Sequence, residues 1–423
     1  MPDLAKESLS ALYFDRHTST RKGLTMNFIF ISPNFPHTYW NFCDRLKKNG
    51  VNVLGIGDAS YDGLEDGLKG ALTEYFKVDS LENYDQVFRA VAFFSYKYGK
   101  IDWIESLNEY WLEQDAQLRT DFNVTTGIRS DRISFIKEKS LMKKLYQEAG
   151  IPTARQSKVT TREAGRAFID EIGGYPVIVK PDIGVGANDT WKLNNDKQFN
   201  AFYDNLPAVP YVMEEFIVGD LISYEAILNS KFEPLFENMT TWPTPIMEIV
   251  NDDLNLKYYT NPDVPAKLRE IGRKTSREFG VDRRFVHLEF FRLTADRKGL
   301  GKKGDYAGLE VNMRPPGGYT PDMMNFAHST DVYQIYADMV AFDERHLPEN
   351  EDKYYCVYAG RKDGHDYVHT HEEIMAEYGP VMVMQEEMPP VNWPQMGRVM
   401  YTVKLKTKKE VSAFIKYVHE EKN

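Results

Sequence analysis

Glu310, Asn312 and Arg314 occupy alternate positions of the segment LEVNMRPPGG, with Leu309, Val311 and Met313 between them. Side chains two apart on a strand share a face. The segment therefore predicts a strand that projects a carboxylate, an amide and a guanidinium to one side and stops at two prolines. Upstream, FVHLEFFRL predicts a second strand with His287, Glu289 and Phe291 on one face, and the loop DRKGLGKKGD between the two favours a long hairpin. If the strands pair in register, Glu289 and Glu310 meet across the ladder. Opposed like charges are unfavourable unless a cation lies between them, and magnesium favours a few carboxylate oxygens together with phosphate oxygens. Arg314, at the end of the row, suits bidentate contact with a phosphate or an anionic intermediate. The ordinary alternative is a solvated strand face whose apolar side lies on a helix.

Two lysines bear on that choice. Lys180 ends the predicted strand YPVIVK just before the loop PDIGVGAND, where its ammonium can reach phosphate oxygens. Lys139 lies in the first part of a predicted helix, ISFIKEKSLMKKLYQEAG, that closes on Gly150 before Pro152. Taken singly, an edge lysine and a solvated helix face explain both. Gly184 and Gly186 in the loop would let backbone amides approach a phosphate, although the loop lacks the Gly-Lys-Ser/Thr of a Walker loop. The strand YVMEEFIVGD supplies Glu214, Glu215, Ile217 and Asp220 where it runs out. An adenine needs backbone hydrogen bonds and an apolar slot, and a ribose needs a carboxylate; this strand offers all three.

The elements that must hold these groups fall into distinct stretches. From Met26, NFIFIS, VNVLGIG, YFKV and IDWIESL read as buried strands. Helical segments lie between them, one with Val87, Val91 and Phe94 on one side. That alternation predicts a mostly parallel, doubly wound sheet over 26–125. Its first turn has no Gly-x-Gly-x-x-Gly, so no dinucleotide fingerprint is present. Residues 126–345 hold the lysine helix, the glycine loop and the hairpin. The acidic DERHLPENEDK marks a boundary, and 346–423 predicts a small α+β cap. Residues 1–25 are an extension of unassigned purpose.

With the pieces in this order, the chain resembles the ATP-grasp superfamily of carboxylate–amine ligases from Met26 to about Phe342. KEKSLMKKLYQEAGIPTAR is similar to the family's first lysine helix, and GYPVIVKPDIGVGAND to its second lysine strand and phosphate-covering loop. YVMEEFIVGDLISYEAI is similar to the adenine–ribose strand. HLEFF and LEVNMRPPGG are similar to the magnesium and arginine segment, and IESLNEYWLEQDAQLR to the close of the N-terminal domain. The resemblance implies a pre-ATP-grasp domain, then central and C-terminal ATP-grasp subdomains with antiparallel sheets, the stretch 155–218 closing over the nucleotide. It implies Lys139 and Lys180 on the ATP phosphates, and Glu214 with the backbones of Glu215 and Ile217 around adenine. Asp220 would stand where the family usually has a ribose-binding Glu. Glu289, Glu310 and Asn312 would bind magnesium, usually two ions, with manganese an alternative. Arg314 would stabilise the transferring phosphoryl group, while Glu109, His287, Gly317 and Gly318 are candidates near the substrate. The implied reaction joins a small carboxylic acid to an amine through an acyl phosphate, releasing ADP and phosphate. Carbamoyl-phosphate-forming, carboxylase-like and kinase-like uses of the fold, and a non-catalytic ATP-binding regulator, are the alternatives.

Composition agrees with small-molecule partners. The chain of 423 residues carries 52 Lys and Arg against 63 Asp and Glu, a net charge of −11, which disfavours a nucleic-acid surface. No segment is long and apolar enough to span a bilayer. Two cysteines, Cys43 and Cys356, provide no disulfide framework. A cytoplasmic location and, as one option, a homodimer are expected.

Overall fold

The computed structural model describes residues 25–184, 189–244, 248–249 and 252–422. Gly186 and nearly all of the N-terminal extension lie outside them. Strands β1 (Asn27–Ile31), β2 (Asn52–Gly57), β3 (Glu74–Lys77) and β4 (Trp103–Glu105) form an all-parallel sheet in the order β3-β2-β1-β4. Helices cover both faces because β1 is buried on both sides. Ile29 and Ile31 pack with Val87, Val91 and Phe94 of the helix Tyr84–Tyr98. Phe28 and Phe30 face the opposite way and join Phe42, Tyr333 and Tyr336, so the helix Val332–Phe342 ties this sheet to the rest of the chain.

The predicted lysine helix is two helices, Ser134–Lys137 and Lys139–Glu148, separated by Glu138 with ψ 115°. The second begins afresh because Asp182 caps it from the glycine loop. The Lys139 amide donates to the Asp182 carbonyl at 2.9 Å, and the Ser140 amide and hydroxyl each donate to the Asp182 carboxylate at 2.8 Å. An acid at the positive end of a helix, accepting from its free amides, is favourable.

A small antiparallel sheet follows, built from β5 (Gln156–Lys158), β6 (Val177–Pro181), β7 (Trp191–Leu193) and β8 (Tyr211–Glu215) in the order β5-β8-β6-β7. The remaining strands make one sheet of eight: β9 (Gly219–Leu228), β10 (Pro234–Trp242), β11 (Lys257–Thr260), β12 (Arg284–Leu293), β13 (Tyr306–Asn312), β14 (Tyr355–Arg361), β15 (Met382–Glu387) and β16 (Val399–Leu405). Their order is β13-β12-β9-β10-β11-β14-β16-β15. The stretch expected as a separate cap thus supplies the far edge of this sheet, joined where Thr260 of β11 pairs Cys356 of β14. The polar boundary segment is a surface connection and does not interrupt the sheet. Among the described residues no helix is long and apolar enough to cross a membrane.

Candidate functional site

The hairpin forms as the residue pattern requires. In the antiparallel β12–β13 ladder Glu289 pairs Glu310 and His287 pairs Asn312. Val286, Leu288 and Phe290 of β12 and Val311 and Met313 after the turn pack in one core with Met142 and Tyr146 of the lysine helix. The residues between them face the other way, into a cavity of about 510 Å³ that Glu289, Glu310, Asn312 and Arg314 all line. One detail departs from simple alternation. The ladder shifts between Glu289 and Phe290, which pairs Gly308, so Leu309 is the extra residue of a β-bulge and also lines the cavity. Gly308 is needed there, since an added Cβ would lie 2.5 Å from the Tyr146 ring.

The two opposed carboxylates are electrostatically unequal. Burial and the neighbouring Glu289 push the Glu310 pKa up, partly offset by Lys139, whose Nζ lies 3.7 Å away. Burial also disfavours the Glu289 anion, but the hydrogen bond and charge of His287 outweigh it and hold its pKa low. His287 lies between acids, with Nδ1 2.9 Å from Glu225 and Nε2 3.2 Å from Glu289. Burial favours the neutral ring, yet the two carboxylates win and push the pKa up to about 9. The imidazolium therefore supports the carboxylate row from behind. Glu225, which the sequence did not single out, also accepts from Asn238 at 2.7 Å.

Both predicted phosphate lysines open into this cavity, together with Gly184. Lys139 Nζ donates to the Gly184 carbonyl at 3.3 Å, and Lys180 Nζ lies 2.8 Å from Glu214. A third lysine, Lys143, stands one helical turn beyond Lys139 and 3.6 Å from Glu214. Burial lowers its pKa to about 8, with Glu214 opposing that shift. In the opposite sense, Lys143 and Lys180 together hold the buried Glu214 carboxyl below its usual range. The i, i+4 spacing of Lys139 and Lys143 beside Met142 was the available sequence signal.

The strand β8 and its exit place Glu214, Glu215 and Ile217 on the cavity wall. The Glu215 side chain is already engaged, 2.7 Å from Arg155 and 3.6 Å from Arg297, and its amide donates to the Arg155 carbonyl at 3.0 Å. Asp220 is the exception. It pairs with Arg292 at 2.7 Å, is nearly half exposed, and is absent from the lining. Alternation along β9 sends Leu221 to the cavity and Asp220 to the opposite face, so the expected ribose carboxylate is not brought to the site.

Glu109, at the end of the N-terminal domain, reaches the same cavity as Gly317 and Gly318. It accepts from Lys137 at 2.7 Å and from Arg314 Nε at 3.0 Å. Burial disfavours its anion, but these two cations hold its pKa low. Among the described residues no cluster of three or more His, Cys, Asp or Glu is arranged to hold a metal alone. Two carboxylates and an amide do converge, a donor set suited to a magnesium ion that shares phosphate oxygens.

This combination of sheets and charged cavity defines a class. Residues 136–272 match the family model for the ATP-grasp domain. The fold is similar to that of an L-amino acid ligase from Bacillus licheniformis, at 13% identity, with a TM-score of 0.66 over 93% of this chain and 97% of the other. It is similar also to N5-carboxyaminoimidazole synthetase from Staphylococcus aureus, at 14% identity, with a TM-score of 0.67 over 94% and 97%. A biotin carboxylase from Campylobacter jejuni gives 16% identity and a TM-score of 0.61 over 92% and 90%. The match to the ATP-grasp domain thus spans residues 136–272, and the chain as a whole shares the fold of these proteins.

Proposed function

We propose that this chain is an ATP-dependent ligase that activates a small carboxylic acid as an acyl phosphate and transfers the acyl group to an amine, releasing ADP and phosphate. The observation that supports the reading best is the convergence in one cavity of Glu289 opposite Glu310, Asn312 and Arg314 beside them, and Lys139, Lys143 and Lys180. A sheet that sets two half-buried carboxylates opposite each other is unfavourable unless a cation joins them. Burial first, and then the neighbouring Glu289, raise the Glu310 pKa against the pull of Lys139, and an added cation would offset both.

Glu289, Glu310 and Asn312 would hold magnesium, which when bound supplies charge neutralisation on the transferring phosphate oxygens. The lysines would bind the polyphosphate, and Ile217 with the backbone of Glu215 would take the adenine. Arg314 would face the carboxylate and the phosphoryl group it receives, countering charge that grows in the transition state. The acyl phosphate needs shelter from water, and a cavity between the small antiparallel sheet and the eight-stranded sheet, reached by Glu109 from the N-terminal domain, is suited to provide it.

The test is release of ADP and phosphate across a panel of carboxylic acids, bicarbonate included, with and without amines, the products being weighed by mass spectrometry. Turnover that requires both an acid and an amine is expected. Formation of AMP and pyrophosphate would overturn the mechanism, while tight ATP binding without turnover on any pair would favour the regulator.

A further inference from the structure

The cavity does not end at Arg314. Beyond it the eight-stranded sheet continues on the same face as Glu289, and its row of side chains changes character. Along this row Phe291 of β12 pairs Leu221 of β9, which pairs Trp242 of β10. Trp242 stacks on Tyr258 of β11 with ring centroids 4.4 Å apart at 16°, and Tyr258 stacks on its ladder partner Tyr358 of β14 at 5.0 Å and 23°. Two residues along the same strands, the neighbouring row is Glu289, Ser223 and Thr240. One sheet face is thus polar under the carboxylates and aromatic beside them.

Of the aromatic row, Phe291, Leu221, Trp242 and Tyr258 line the cavity, and Leu256 and Met396 join them. Met396 arrives from the C-terminal stretch and closes against Gly318, where an added Cβ would lie 2.8 Å from its Cε. The lysine and arginine side chains among the described lining residues are Lys139, Lys143, Lys180 and Arg314. Each pairs with Glu310, Glu214 or Glu109. No further Lys or Arg of the described lining accompanies Trp242, Leu256 and Met396, so among the described residues this end offers no counter-ion for a phosphorylated substrate. Its polar groups are Glu248 and Gln395.

We propose that the carboxylate substrate carries an aromatic or bulky apolar side chain, seated between Trp242 and Met396 while its carboxylate lies at Arg314. This rests on the ligase reading and narrows its substrate class. A flat apolar body suits a wall of stacked rings, which gains both area burial and ring–ring contact. A small or anionic body would leave that wall wet or a charge unpaired.

Hydroxylamine makes the test independent of the natural amine, because it attacks an acyl phosphate to give a hydroxamate and inorganic phosphate. Full-length protein with Mg–ATP and hydroxylamine would be given L-phenylalanine, 3-phenylpropionate, L-alanine, acetate or L-aspartate. The aromatic acids should be preferred in kcat/KM by roughly 10–100-fold, the range that burial of one such side chain supplies. Trp242→Ala and Met396→Ala should each lose most of that preference, with thermal melting used to confirm folding. Equal or better use of acetate, alanine or aspartate would overturn the proposal and leave the ligase reading standing. Should no acid give hydroxamate, the ligase reading fails, and calorimetric titration of L-phenylalanine into protein with Mg–AMP-PNP decides this site separately. Binding weakened by Trp242→Ala would uphold it, and no binding in preference to L-alanine would refute it.

Discussion

Arg314 donates through Nε to Glu109 Oε2 at 3.0 Å, a contact between residues 205 positions apart. It joins the end of the metal-type strand to the N-terminal domain, and Lys137 completes it by donating to the same carboxylate. Glu109 therefore fixes the guanidinium without neutralising the cavity alone, since two cations share its charge.

Arg314→Ala should lower phosphate release by at least about 100-fold, the usual cost of removing a preorganised donor. Mg–ATP affinity, measured by calorimetry, should change by less than about threefold, because the lysines remain. Arg314→Lys should not restore turnover, since an ammonium cannot reproduce the planar fork. Full activity in Arg314→Ala would remove this residue from the mechanism.

The opposed carboxylates predict a sign reversal in melting experiments. Without divalent ion, Glu310→Gln relieves repulsion from Glu289 and should leave the melting temperature equal or higher than wild type. With magnesium and AMP-PNP, wild type should be stabilised and Glu310→Gln much less so, because ligand binding to the folded state raises stability by mass action. Equal ligand-induced shifts in both proteins would argue against a cation between the two acids.

Lys143 predicts a pH dependence. Burial depresses its pKa to about 8, so its ammonium is lost as pH rises through that value while an unfolded lysine would stay charged. Affinity for ATP, followed by calorimetry at constant ionic strength, should fall by about tenfold, or about 1.4 kcal/mol, between pH 7 and pH 9. Lys143→Met should bind more weakly at pH 7 and show no inflection near 8. An unaltered profile in the variant would assign the titration to another group.

Arg284 predicts a coupling between domains. At the start of β12 it donates to Glu105 of β4 at 2.7 Å, and Arg119 approaches the same carboxylate at 2.8 Å, all three being buried. Glu105 would keep Arg119, which also faces the buried Asp115 at 3.9 Å, but the two acids would then share one guanidinium, so Arg284→Met should cost about 3–5 kcal/mol in chemical denaturation. The Glu105→Gln, Arg284→Met double variant should lose less than the sum of the two single changes.

The hairpin was legible because a strand's two-residue period encodes which side chains share a face, and that period survives in a bare sequence. Lys180 was legible through its position at a strand end, and Lys139 through its place in the first part of a helix before the glycine loop. The break at Glu138 was not, because it depends on Asp182 capping the helix from 42 positions away. Asp220 was misplaced for a related reason. Its nearness in sequence to Glu214 suggested the same site, but it belongs to the next strand, where alternation turns it outward to Arg292.

From the amino-acid order alone came the element types, the parallel sheet, the carboxylate–amide–guanidinium row and the placement of Lys139 and Lys180 beside the glycine loop, all governed by local periodicity and turn chemistry. Tertiary structure alone decided that the last stretch extends the central sheet, that Lys143 belongs to the cavity, and that Trp242, Tyr258 and Met396 form its far wall. Those facts follow from strand order and long-range pairing, which depend on contacts between distant segments and have no signature within any one of them.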